Sequence, residues 1–254
     1  MSTESLTPTS ATALPWHLRN NWAPVLDEIT ETELRVDGVI PPQLTGTYVR
    51  TGPNPSTGTS KHWFFGDGMS HGVRLANGKA EWYRNRFVHT PNITDPLADP
   101  MEAMGDLTRG TGNTHVLAHN GELLCLEEGH WPWRVDSSLN TLGVQNYGGA
   151  LTSPMTAHPK VCPITNELIA FSYLNYEAPF LKYIRVSPDG QLVQFEGIDL
   201  PNIVMMHDFN VTRNNIVFMD LPAVFDLERA MLGEMPIRWD DDYPARLGVM
   251  PRTG

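Results

Sequence analysis

Met155-Thr-Ala-His158-Pro159-Lys160-Val-Cys-Pro163 and Ile203-Val-Met-Met-His207-Asp208-Phe209-Asn-Val-Thr212 are the two segments on which the reading of the fold turns. Each sets a His at the edge of a β-prone run, follows it with a polar turn, and returns through a second run, Leu168-Ile-Ala-Phe-Ser172 or Ile216-Val-Phe-Met-Asp220. The same device recurs along the chain. Asn77-Gly78, Asn120-Gly121 and Pro188-Asp189-Gly190 each separate two apolar, β-branched runs, the signature of tight hairpins whose turn residues need positive φ. Alternation predicts short strands over Leu34–Ile40, Thr47–Thr51 and Ala80–Phe87. Thr90 to Thr111, rich in Pro, Asp and Gly, reads as a loop with weak helical content near Pro100–Met104, and the one convincing helix is Val224–Leu232. Many consecutive hairpins mean an all-β sandwich, barrel or propeller. No strict repeat of about 40 residues marks a regular blade array. A propeller of divergent blades is attractive because its strands converge on one axis, where His residues from different blades can meet at a metal.

Composition narrows the function classes. With 254 residues, 41% hydrophobic and 19% charged, the chain has the make-up of a folded globular protein. A net charge of −11 repels nucleic acid and offers no polybasic patch for anionic lipid. Cys125 and Cys162 are not spaced as a CxxC pair, so no disulfide framework is expected and a reducing cytoplasm is the default setting. The Ser/Thr/Pro-rich start, residues 1–15, reads as a disordered tail without a signal peptide, and no apolar run reaches the roughly 18 residues of a membrane span. Peripheral membrane contact stays open.

Most of the nine His carry ordinary structural readings. His17, His62, His89, His119 and His130 are expected to be surface or hydrogen-bonded residues, and His71 and His115 are intermediate, the latter in a strand able to face the axis. Spacing alone makes His158 and His207 weak evidence for a metal. Trp63, Phe64 and Phe65 read as core residues. Gly66-Asp67-Gly68 reads as a structural turn, since no Lys and no helix follow it as in a phosphate cradle.

Six motifs in order carry a resemblance: Tyr48-Val-Arg-Thr-Gly-Pro-Asn-Pro55, Trp63-Phe-Phe-Gly-Asp-Gly-Met-Ser-His71, Asn113-Thr114, Leu126-Glu-Glu128-Gly, Ala157-His-Pro-Lys160 and Met206-His-Asp-Phe209. From about Asn21 to Gly254 the chain resembles the carotenoid cleavage oxygenase family. The resemblance implies a seven-bladed β-propeller with a non-haem Fe(II) on its axis, held by four His. His158 resembles the first iron ligand and His207 the second. Glu128 resembles the carboxylate that supports the second His, and Thr114 a residue that crowds a vacant coordination position. The implied reaction is dioxygenase cleavage of one conjugated C=C bond of a carotenoid or apocarotenoid into two carbonyl products, with O2 and an apolar polyene as partners. Phe225 and Leu227 would line a tunnel mouth or touch a bilayer. A lignostilbene-type dioxygenase with a stilbene substrate is the alternative, and a non-catalytic propeller scaffold the rival from another class.

Two departures qualify what is expected. After His207 the sequence has no further His, so two of the family's four iron ligands are absent. Residues 16–254 are therefore expected to form about four blades of an unclosed propeller, truncated before its C-terminal blades and inactive alone. The residue before the supporting Glu, a Lys in the stilbene-cleaving branch, is Glu127 here. An anion at that point opposes a phenolate and places the carotenoid reading ahead.

Overall fold

A computed structural model of the chain describes residues 14–98, 100–103, 105–232 and 234–253, so most of the expected N-terminal tail lies outside the described residues. The first sheet holds β1 (Thr30–Glu31), β2 (Gly46–Pro53), β3 (Gly68–Ala76) and β4 (Lys79–Phe87), in the order β1-β4-β3-β2. The second is a meander of β5 (His115–His119), β6 (Glu122–Leu126), β7 (Trp133–Val135) and β8 (Thr141–Val144). The third repeats it with β9 (Lys160–Val161), β10 (Leu168–Ser172), β11 (Leu181–Val186) and β12 (Leu192–Ile198). In the fourth, β13 (Asn210–Val211) and β14 (Asn215–Asp220) are followed by a separate hairpin of β15 (Ala223–Phe225) and β16 (Ile237–Trp239) before β17 (Arg246–Pro251) completes the order β13-β14-β17.

Strand periodicity explains how the sheets stack. Successive side chains point to opposite faces. On β10, Leu168 and Ala170 join Leu124 and Leu126 of the second sheet, while Ile169 and Phe171 join Phe209, Ile216 and Phe218 of the fourth. Both faces of the third sheet are thus covered, which is why Leu168-Ile-Ala-Phe-Ser172 reads as an unbroken buried run. Likewise Leu124 and Leu126 face the third sheet while Cys125 turns to the layer with Val88 and Trp133. Sheets packed face to face in series are the blades of a propeller, and here four blades form an arc that does not close among the described residues.

The hairpin turns are as expected. Asn77 and Gly78 take φ of 51° and 75°, Asn120 and Gly121 φ of 47° and 74°, and Gly190 φ of 81°. Gly66-Asp67-Gly68 is a structural turn tied to the Pro53-Asn54-Pro55 loop: Asp67 accepts from the Ser56 amide at 2.9 Å and its carbonyl accepts from the Asn54 amide at 2.7 Å.

Three expectations need correction. Leu34–Ile40 forms no strand; it runs unpaired over the surface, with Val36 and Val39 exposed, because alternation supplies a pattern but not a partner. The helix at Val224–Leu232 shrinks to α1 (Leu227–Met231), starting where the Asp226 carboxylate accepts from the Arg229 amide, while Val224 is fully buried on β15. Trp63, Phe64 and Phe65 are not core; all three are exposed. The expected loop also holds a single helical turn at Pro91–Thr94, while the 3-10 turn at Pro100–Ala103 is the weak helical content expected there.

Candidate metal centre

β5, β9 and β13 each lead their sheet and lie at its edge, and the residues entering them converge. His115 opens β5, His158 stands two residues before β9, and His207 three before β13. The rings of His158 and His207 are 4.6 Å apart, centroid to centroid, at 70°, and His115 stacks on His158 at 5.9 Å. Nitrogens of both His and a carboxylate oxygen of Glu128 lie within 4.8 Å of one another.

Each donor is held by its own strand geometry. His115 Nδ1 donates to the Ala157 carbonyl at 2.9 Å, pinning the residue before His158; a carbonyl cannot donate, so this nitrogen carries the ring proton. His207 sits at φ 45°, a left-handed conformation that a bulky residue adopts only when its surroundings impose it. Those surroundings include Lys160, whose ammonium donates to Asp208 Oδ1 at 2.7 Å and so ties the segment after His158 to the segment after His207. The Phe209 amide donates to the same oxygen at 2.8 Å.

The electrostatics suit a cation. His158 is held below the ordinary imidazole range, by burial first and by neighbouring His207 second, and so stays neutral. Its Nε2 is buried and has no hydrogen-bond partner. Glu128 is pushed up to about 8 by burial and by the like charges of Glu127 and Asp208. A buried carboxyl that ionises this reluctantly, beside an orphaned imidazole nitrogen, is a site short of positive charge. Its Oε1 meets His207 Nδ1 at 2.5 Å, and its Oε2 accepts from the hydroxyl of Tyr173. Two imidazole nitrogens and a carboxylate fit a borderline divalent metal such as Fe(II).

The geometry therefore brings His158, His207 and Glu128 together, with His115 against His158. Thr114, expected at the metal, is exposed one residue before His115 and donates to Asn113 Oδ1 at 3.0 Å. Asn113 in turn donates to the carbonyls of Phe64 and Gly66, which places the exposed aromatic loop beside Thr114. The histidines read as structural have structural partners: His17 meets the Ser60 carbonyl, His89 meets Glu28, His119 donates to the Asn166 carbonyl, and His130 pairs with Glu127. His71 pairs with the Tyr83 hydroxyl at 2.8 Å. Both cysteines are free. Sequence reasoning missed Tyr173 and the Lys160–Asp208 strut; Tyr173 simply continues the inward-facing alternation of Ile169 and Phe171, so nothing in its spacing separates it from the core.

Comparison with known proteins identifies the family and the fold. Residues 22–254 match the retinal pigment epithelial membrane protein family. The carotenoid cleavage oxygenase of Mycobacterium tuberculosis is 36% identical over 94% of this chain and 57% of its own length, and the carotenoid 9,10(9',10')-cleavage dioxygenase of Crocus sativus 37% identical over 93% and 50%. The crystal structure of Pseudomonas brassicacearum lignostilbene dioxygenase superposes with a TM-score of 0.78 at 32% identity, covering 92% of this chain and 52% of that one. The chain thus spans about half the length of the relatives it matches. Ordered motifs, blade architecture and these likenesses coincide, and the chain belongs to the carotenoid cleavage oxygenase family.

Proposed function

We propose that this chain carries half of the Fe(II) centre of a dioxygenase that cleaves a conjugated C=C bond of a carotenoid or apocarotenoid into two carbonyl products. The observation that carries the reading is the convergence of His158 and His207 on a buried carboxyl, with the Nε2 of His158 left unpartnered. Bound iron would supply the dioxygen chemistry that no side chain offers. The chain's own residues do the rest. His158 offers Nε2. Glu128, whose Oε1 lies 2.5 Å from His207 Nδ1, would leave the far nitrogen of that ring free for the metal and, once ionised, add negative charge to an all-imidazole shell. Thr114 narrows the approach on the side where the loop of Phe64 and Phe65, 60% and 56% exposed, gives a flat polyene an apolar wall.

Glu127 supports a carotenoid over a stilbene. Its carboxylate pairs with His130 next to the centre and opposes a phenolate. The likeness to a lignostilbene dioxygenase keeps stilbene cleavage as the second reading. Phe225 and Leu227, the latter 58% exposed, line the mouth of the substrate tunnel or touch a bilayer in this proposal. No described helix is long and apolar enough to cross a membrane, and a cytoplasmic setting remains part of the proposal.

Among the described residues two imidazoles, His158 and His207, join the Glu128 carboxyl at the centre, so the 254-residue chain by itself is expected to bind Fe(II) weakly and to turn over no substrate. Anaerobic equilibrium dialysis with Fe(II) tests this, with His158→Ala and His207→Ala each lowering affinity by at least about tenfold. Binding unchanged in both variants would refute the site. Incubating the chain, and the chain extended by the C-terminal half of its Mycobacterium tuberculosis relative, with an apocarotenal and with a hydroxystilbene under O2 tests the rest. Cleavage is expected only in the extended protein and faster on the apocarotenal; faster stilbene cleavage reverses the order.

A further inference from the structure

Tyr173 lies just beyond β10 and is 1% exposed, packed in the core between the third and fourth sheets, where its ring meets Phe171 at 5.7 Å. A Phe would fill that space equally well, and burying a hydroxyl costs free energy unless it finds a partner. The hydroxyl leaves the apolar cluster at one point only: it donates to Glu128 Oε2, with Met205 Sδ 3.4 Å away. The other oxygen of the same carboxyl meets His207 Nδ1 at 2.5 Å. Three consecutive blades therefore contribute one member each to a chain of contacts, Tyr173 from the third, Glu128 from the second, His207 from the fourth.

A carboxyl with both oxygens free rotates and shares its contact among neighbours. With Oε2 committed to a phenol that the core holds rigid, Oε1 is left facing one nitrogen of His207. We propose that Tyr173 is a positioning residue of the metal centre, holding Glu128 so that His207 keeps its proton on Nδ1 and presents Nε2. This rests on the metal reading above for its purpose, but the link itself belongs to the chain without metal whenever the Glu128 carboxyl is ionised. A merely structural hydroxyl would be lost without consequence for the ring of His207.

The test is the tautomer of His207, read in the full 254-residue chain at an alkaline pH at which Glu128 is ionised, from long-range nitrogen–proton NMR correlations of its ring, in wild type and Tyr173→Phe. The wild type is expected to hold the Nδ1–H form and Tyr173→Phe a mixture, with circular dichroism unchanged. Titration with Co(II), followed by its ligand-field absorption, should show affinity about tenfold lower in Tyr173→Phe, and no further loss when Tyr173→Phe is added to Glu128→Ala. An unchanged tautomer in Tyr173→Phe overturns the proposal. If the tautomer shifts while wild type binds no Co(II), the positioning stands and the metal reading falls. Should Tyr173→Phe lose its fold, the wild-type hydroxyl proton decides: slow exchange that disappears in Glu128→Ala supports the link, and fast exchange in wild type overturns it.

Discussion

Cys162 and Cys125 show how strongly local contacts separate two residues of one type. The polar groups of Thr165 and the Ile164 amide beside it, together with the Arg252 guanidinium 3.5 Å from its sulfur, bring the Cys162 thiol down to about 6. Burial pushes Cys125 up to about 11 against the single contact it has with Ser70. A pH titration of thiolate ultraviolet absorbance on the folded chain should therefore show one thiolate appearing around pH 6 and no second one at neutral pH, with Cys162→Ser abolishing the first step. The stability consequence has a definite sign. Cys162 titrates lower in the folded chain than in the unfolded one, where the thiol sits near 9.0, so between these values the unfolded state holds more protons and stability rises with pH. That contribution is complete above the unfolded value and is lost as pH falls through about 6. Urea midpoints of wild type relative to Cys162→Ser should climb across that window; a flat difference would show that the thiol is not stabilised as described.

The elements make sense of the glycines that hold the blades in register. β3 begins at Gly68, whose amide donates to the Thr111 carbonyl at 3.0 Å, and a methyl there would stand 2.4 Å from that same oxygen and 2.7 Å from the Gly112 carbonyl. Both obstacles are backbone, so the strand entering β5 must move. Gly68→Ala is expected to cost about 1–3 kcal/mol of stability, whereas Gly52→Ala on β2, where a methyl meets nothing within 4 Å, should be near neutral. Denaturant midpoints of the two variants check the contrast. Elements of this kind were legible in the sequence wherever the chemistry was local. Asn-Gly turns announce positive φ, and paired runs around them announce hairpins, so β3–β4, β5–β6 and β11–β12 stand where expected. Leu34–Ile40 was not legible, because a strand exists only with a neighbour to accept its hydrogen bonds, and alternation says nothing of neighbours. At the centre, His158, His207 and Glu128 were legible through their motifs and do converge, while Tyr173 and the Lys160–Asp208 strut were not, since each depends on which blade lies beside which. The exposed Trp63-Phe-Phe loop was misread because aromatic content alone does not say whether a loop faces the core or the axis.

At the scale of the molecule, the blades bury their inner faces in one another and leave the outer face of the fourth uncovered among the described residues. On β14, Ile216 and Phe218 point into the core shared with the third blade, so Val217 and Met219 point out. Register pairs Val217 with Val249 and Met219 with Leu247 across β14 and β17. Leu247 and Val249 keep 68% and 65% of their surface exposed, and this apolar strip is of the kind that monomeric proteins rarely leave open. Because Leu247 and Val249 are mostly exposed and meet only their cross-strand neighbours on this face, replacing them removes little buried contact, and surface substitutions of that sort usually stay within about 0.5 kcal/mol. The double variant Leu247→Lys, Val249→Glu places one charge of each sign on the strip and should leave the urea midpoint of the chain unchanged while lowering dye binding to apolar surface and light scattering at high protein concentration. A stability loss of about 2–5 kcal/mol, the cost of truncating a packed core residue, would instead show that the face is already covered in solution.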